Sequence, residues 1–142
     1  MIAVDTNVIF DILYDDTNAE ASAAALRAAL TGGPVVMSDV VVAEVCSRGE
    51  SDKIMPALRE MGLTFSALEE KSSIRAGEMM ARFRTRQRQQ GAQVRGGPDA
   101  RMIPDFLIGA HALLQCDALI THDIGFHRDY FKGLRVIAPV AT

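Results

Sequence analysis

The sequence predicts an α/β fold: a three-layer α/β/α sandwich around a central parallel sheet of four or five strands. Three observations lead there. Short apolar runs recur along the 142 residues, each followed by a longer stretch of helical pattern. The runs are apolar throughout rather than alternating, as in strands covered on both faces. Regular alternation of strand and helix calls for parallel pairing through helical crossovers.

The elements follow in order. Met1–Val4 is a strand ending at Asp5, and Asp5 takes the N-cap position of a helix carrying Val8, Ile9, Ile12 and Leu13. Residues 17–31 are alanine-rich and helix-forming, and Gly32-Gly33-Pro34 stops them. Pro34–Met37 is the second strand. Ser38 caps a helix from Asp39 to about Ser47, which Gly49 ends. Another helix runs from Ser51 to Met61 and stops at Gly62, and Leu63–Phe65 is the third strand. Helical pattern resumes from Leu68 to about Gln90, with Ile74, Met79, Met80 and Phe83 as its apolar side.

Residues 91–101, with three glycines and a proline, read as a mobile loop. With the arginines before it, a basic mobile segment spans about 84–101. Pro104 suits the first turn of a helix over Asp105–Gln115. Asp117–Thr121 and Leu134–Ala138 are the fourth and fifth strands. The chain 1–142 is one domain's worth of sequence.

Composition narrows the class. Apolar residues make up 49% and charged residues 23%, which suits a soluble globular domain with its own core. No apolar run approaches the roughly 18 residues that cross a bilayer. The N-terminus lacks the basic start of a signal peptide. Cys46 and Cys116 have no metal or disulfide spacing, so they read as reduced thiols of a cytoplasmic protein. The net charge of −3 hides a division. Residues 1–70 carry twelve acids against four bases, while residues 71–101 carry eight bases against two acids. Cation binding by acids and phosphate binding by bases would explain that split, and so would two solvated faces.

In a parallel sheet, ligands bind beyond the carboxyl ends of the strands. Four acids fall at such places: Asp5 after strand one, Glu44 on the helix after strand two, Asp105 in the first turn of its helix, and Asp123 after strand four. Each sits among apolar residues, where an uncompensated carboxylate is costly. A divalent cation compensates such a group, and all-oxygen ligands favour Mg²⁺, with Mn²⁺ as substitute, over Zn²⁺. His111, His122 and His127 have no zinc spacing and read as surface or structural. Taken singly, Asp5 and Asp105 could be helix caps and Asp123 a turn acid. Glu44 resists that reading, because VVVAEV puts a charge on an otherwise apolar helix. Asp39, Asp117 and Asp129 read as solvated or capping, with Asp129 as a possible accessory ligand.

The strings Val4-Asp5-Thr6-Asn7-Val8-Ile9, Ser38 with Glu44, Pro104 to Ala112 and Thr121-His122-Asp123-Ile124-Gly125-Phe126 together resemble a PIN domain, nearest the VapC-type toxins of toxin–antitoxin pairs. The likeness covers the whole chain. It implies a metal-dependent endoribonuclease with Asp5, Glu44, Asp105 and Asp123 as catalytic and metal-binding acids. Thr6, Asn7 and Thr121 match the polar positions that support the acids. It also implies a VapB-like antitoxin whose arginine pairs with the acid cluster, and a homodimer. Met55, Met61, Met79 and Met80 could line grooves for these partners, although core packing is their commoner use.

RNA would be held by arginine. Arg82 and Arg86 share one helical face, Arg84 and Arg88 another, and Arg95 and Arg101 lie on the loop. Together they form a candidate phosphate clamp, to be weighed against a solvated helix end. A rival reading is a PIN-like module that binds RNA or a partner without cutting. A phosphoryl-transfer fold with a nucleophilic Asp5 fits poorly. Asn7 stands where that chemistry wants a second acid, and Lys53, Lys71 and Lys132 are badly placed.

Overall fold

The computed structural model describes residues 1–91 and 101–140. Within them lie five strands: β1 (Ile2–Val4), β2 (Val35–Met37), β3 (Leu63–Phe65), β4 (Ala118–Ile120) and β5 (Val136–Ile137). Seven helices accompany them: α1 (Thr6–Leu13), α2 (Ala19–Thr31), α3 (Asp39–Cys46), α4 (Ser51–Glu60), α5 (Glu70–Gln89), α6 (Ile103–Gln115) and α7 (Ile124–Tyr130). All strand pairings are parallel, in the order β3-β2-β1-β4-β5. The helices flank this sheet in the three-layer arrangement expected.

The strands are short, and the three central ones are almost wholly enclosed. Val35, Val36 and Met37 in β2 and Ala118, Leu119 and Ile120 in β4 are all buried. All of these except Ala118 join Val8, Ile9, Val41, Val45, Leu58 and Ile108 from the helices in one core. A second cluster, built from Ala76, Met79, Phe106, Ala110, Phe126 and Phe131, fastens α5, α6 and α7 together. Phe106 is its centre and meets Phe83, Phe126 and Tyr130 edge-on at 5.0–5.7 Å between ring centroids. Met79 is core, and Met55, Met61 and Met80 pack partly buried against the two clusters. Cys46 and Cys116 are free thiols, and burial pushes Cys116 up to about 11.

Two sequence expectations need correction. Ile74 is 55% exposed, so it is not on the inner side of α5. The buried stripe is Ser72, Ala76 and Met79. A residue two places from Ser72 lies about 200° around the helix, away from that stripe. Residues to which the sequence reading assigned no element form α7, directly after Asp123. The basic segment is helical over its first part, because α5 continues to Gln89. Arg82, Arg84, Arg86 and Arg88 are therefore helical, whereas Arg95 lies outside the described residues.

The sheet order sets where a site can form. β1 is followed to one side by β2 and β3, and to the other by β4 and β5. The order reverses between β1 and β4, opening a crevice at their carboxyl ends. Their register pairs Ala3 with Leu119 and Val4 with Ile120, so Asp5 and Thr121 leave the sheet side by side.

Gly109, inside α6, provides a packing test. A Cβ there would meet the ring of the fully buried Phe131, with Cζ at 2.8 Å and two ring carbons nearer still. Alanine would improve intrinsic helix propensity by about 1 kcal/mol. Overpacking costs about 1–3 kcal/mol and should prevail here. Gly109→Ala is expected to lower the urea midpoint, and an unchanged or raised midpoint would show that the α6–α7 contact is looser than described.

Candidate active site

All four acids predicted from the sequence lie at the carboxyl edge of the sheet, and the electrostatics tie them together. Asp5 sits at the N-cap of α1, yet its carboxylate makes no capping bond. Its Oδ2 instead accepts hydrogen bonds from Thr121 Oγ1 at 2.7 Å and Asn7 Nδ2 at 3.4 Å. Thr121 Oγ1 also accepts from the Asp123 N–H at 3.0 Å, so one buried hydroxyl orders both edges of the crevice. Thr6 Oγ1 donates to Glu44 Oε1 at 2.6 Å and ties α3 to α1. Asp105 Oδ2 accepts from the Met102 N–H at 3.1 Å, so this acid does cap its helix, with one oxygen.

A pattern emerges from these tethers. Asp5, Glu44 and Asp105 each have one carboxylate oxygen fixed by a hydroxyl, amide or backbone donor. Their second oxygens, Oδ1, Oε2 and Oδ1, accept no hydrogen bond from the described residues. Asp123 differs. Arg101 grips both its oxygens, through Nη2 to Oδ1 at 2.9 Å and through Nη1 to Oδ2. The same guanidinium lies 4.4 Å from the centroid of Phe126.

Burial pushes Glu44 above the ordinary carboxylate range; the Thr6 hydroxyl pulls it back, and the charges of Asp5 and Asp105 add to the rise. Burial also raises Asp105, opposed by the Met102 N–H and Arg101 and reinforced by Asp5 and Asp123. The quartet is thus a mutually repelling group of part-buried anions. Its donor set, oxygen only with three unengaged carboxylate oxygens, suits a hard divalent cation. Among the described residues no three acids, histidines or cysteines stand close enough to hold a metal as they are. Holding one requires these side chains to be drawn inward against their repulsion.

The sequence reading named Thr6, Asn7 and Thr121 as supporting residues without assigning them to particular acids; in the structure Thr6 bonds to Glu44, Asn7 to Asp5, and Thr121 to Asp5 and to the backbone of Asp123. Ser38 precedes α3, but makes no side-chain cap bond. Its buried Oγ has no hydrogen-bond partner among the described residues. Arg101 is drawn into the acid edge rather than ranged with the arginines of α5.

The sequence reading missed a second polar network. The buried Asp11 accepts from Ser22 Oγ at 2.6 Å and lies 2.5 Å from His122 Nε2. Burial would raise Asp11, but its bonds to Ser22 and His122 outweigh that and leave it below the usual range. This network anchors the residue next to Asp123 to α1 and α2, and the His122 N–H adds a bond to Asn7 Oδ1 at 3.4 Å. The signal was present, since Asp11 is an acid within apolar FDIL, the same criterion that singled out Glu44. His127 is 2% exposed, with Nε2 3.8 Å from Asp5 Oδ2. His111 is a buried residue beside Ser66, and its burial lowers its pKa.

Residues 2–132 match the PIN domain family. Among solved structures, the chain is similar to VapBC2 from Rickettsia felis bound to a DNA fragment from its promoter. That match has 22% identity and a TM-score of 0.64, and covers 97% of this chain and 98% of that chain. It is also similar to FitAcB from Neisseria gonorrhoeae, at 21% identity and TM-score 0.59, covering 98% of each chain. A toxin–antitoxin complex from Klebsiella pneumoniae matches at 17% identity and TM-score 0.58 over 100% of each chain. At these identities the structural likeness establishes the fold. No curated protein matches the chain.

The raised carboxyls lead to a stability prediction. A carboxyl whose folded pKa exceeds its unfolded value binds protons more readily when folded. Its ionisation therefore costs stability as pH rises through that window. For Glu44 the window starts near 4.5 and extends upward. In chelator at neutral pH, Glu44→Gln is expected to resist urea better than wild type while retaining the Thr6 bond. The gain should shrink as pH falls and vanish below 4.5. A variant less stable than wild type at neutral pH would contradict the cost of holding a charged Glu44 in its buried, acid-flanked position.

Proposed function

Because the chain belongs to the PIN domain family, we propose that it is a Mg²⁺-dependent endoribonuclease, with Mn²⁺ as a substitute ion, and the toxin of a VapC-type toxin–antitoxin pair. One observation carries this reading. Four carboxylates lie at the carboxyl edge of the sheet near enough to repel one another, and three of them keep one oxygen tethered and one unengaged.

In this reading Asp5 and Asp105 are the direct metal ligands, and Glu44 and Asp123 complete the set. A bound Mg²⁺ supplies acidification of water and charge neutralisation at the phosphodiester. The chain's own part is preorganisation. Thr121 and Asn7 restrain Asp5, Thr6 restrains Glu44, and the Met102 N–H restrains Asp105, so each acid has one oxygen fixed before the cation draws the free oxygens inward. Arg101, already against Asp123, stands ready to pair with a phosphate oxygen at the acid edge.

The same Arg101–Asp123 pair favours a second reading, a PIN module that holds RNA without cutting it. Arg101 would then be a permanent counter-ion occupying one ligand position. Nuclease assays separate the two.

The partner proposed is a VapB-like antitoxin, since the structures resembling this one include toxin–antitoxin complexes. An antitoxin arginine would compete with Arg101 for the acids. A homodimer and a cytoplasmic site of action complete the proposal. Among the described residues no helix is long and apolar enough to cross a membrane.

The purified protein is expected to cleave RNA with Mg²⁺ and to stop in EDTA. Asp5→Asn and Asp105→Asn should each lower the rate by about 100-fold or more, the scale on which loss of one charge-stabilising group acts. Circular dichroism should show their fold unchanged. Wild-type cleavage by either variant would remove the acids from the mechanism, and metal-independent binding without cleavage would favour the silent module.

A further inference from the structure

Away from the acid edge, α5, α6 and α7 enclose a groove of about 500 Å³ lined by Arg75, Arg82, Arg86, Lys132 and Tyr130. Arg75, Arg82 and Arg86 are seven and four residues apart, so they share one face of α5. Two acids also line it. Glu78 is spent on Arg75 at 4.0 Å, and Asp129 makes no ion pair among the described residues. The groove therefore carries four cations against two acids. Arg86 donates to the Tyr130 hydroxyl at 3.3 Å, with its guanidinium 5.3 Å from the ring centroid. Arg84 and Arg88 do not line the groove, and Arg88 Nε turns back on the Arg84 carbonyl.

A chain of side-chain contacts links the groove to the acid edge. Tyr130 packs on Phe126 at 5.4 Å, Phe126 lies under Arg101, and Arg101 grips Asp123. Only the seven residues of α7 separate the two places, about 10 Å at 1.5 Å per residue. A strand held with one phosphate at the acids would lay its following phosphates along this face.

We infer that the Arg75–Arg82–Arg86–Lys132 groove is the track for the phosphodiester backbone of a single-stranded RNA substrate. This rests on the nuclease reading and narrows it. Of the arginines on α5, Arg82 and Arg86 hold RNA, and Arg84 and Arg88 do not. The contacts are to phosphates, so the groove contributes affinity without base choice.

The test is fluorescence anisotropy of a mixed-sequence single-stranded RNA oligonucleotide bound to the full chain in EDTA, over a series of salt concentrations. The double variant Arg82→Gln/Arg86→Gln is expected to bind more weakly, and the salt slope should fall by about 1.4, or about 0.7 for each lost phosphate contact. Lys132→Gln should lower it by about half as much, and Arg84→Gln/Arg88→Gln should leave it unchanged. These side chains are exposed or half-buried at the surface, so the variants keep the core intact. Equal losses from both arginine pairs, no loss from the first, or tighter binding of poly-glutamate than of RNA would each overturn the track. Cleavage abolished by Asp5→Asn beside normal RNA binding by the groove variants defeats the track alone. Groove-dependent binding by a wild type that never cleaves defeats the nuclease alone.

Discussion

The hydrogen bond from Thr121 to Asp5 depends on a register, and the junction of β1 and β4 within the site depends on that bond. Val4 pairs with Ile120 in the parallel sheet, so the next residue of each strand emerges at the same level. Thr121 is fully buried there, and its single hydroxyl donates to Asp5 while accepting from the backbone of residue 123. A slip of one residue would turn every side chain of β4 to the opposite face and separate these groups. The register is guarded by burial: Ala3, Val4, Leu119 and Ile120 have no solvent-facing side on which an error could be accommodated.

Around that junction the molecule holds like charges together. Core packing and strand pairing position the backbone, and single hydroxyl or amide donors restrain each carboxylate. The acids cannot relax outward without breaking those bonds, nor lose their charge without a rise in proton affinity, which Glu44 and Asp105 display. The Arg101 guanidinium offsets part of this at Asp123. The site is therefore one where local stability is sacrificed for a charge arrangement, as is common where chemistry is performed.

The polar residues divide into two sets with different legibility. Asp5, Glu44, Asp105 and Asp123 stand in apolar strings immediately beyond strands or on the helices that follow, so pattern and topology together exposed them. Asp11, Ser22 and His122 are joined across more than a hundred residues, with no shared local motif. Asp11 carried a local hint in its apolar neighbours, but its partners carried none. The side of α5 was misjudged for a related reason. Ile74 is apolar, and the stripe actually buried contains a serine, Ser72, whose hydroxyl bonds to Gln115 at 2.6 Å. Local apolar pattern records solvent avoidance and cannot register a polar side chain satisfied from elsewhere.

By itself the sequence determined the alternation of strands and helices, the parallel sheet, and the acids that end its strands. Each of these follows from local hydrophobic period and from the cost of embedding a charge among apolar neighbours. Only the tertiary structure decided the strand order that brings β1 beside β4, the seating of Arg101 on Asp123, the anchoring of His122 by Asp11, and the separation of the α5 arginines into groove and solvent. These are meetings between segments distant in the chain. Their energies depend on packing and on which oxygen or nitrogen finds a partner, and no spacing along one strand or helix encodes that.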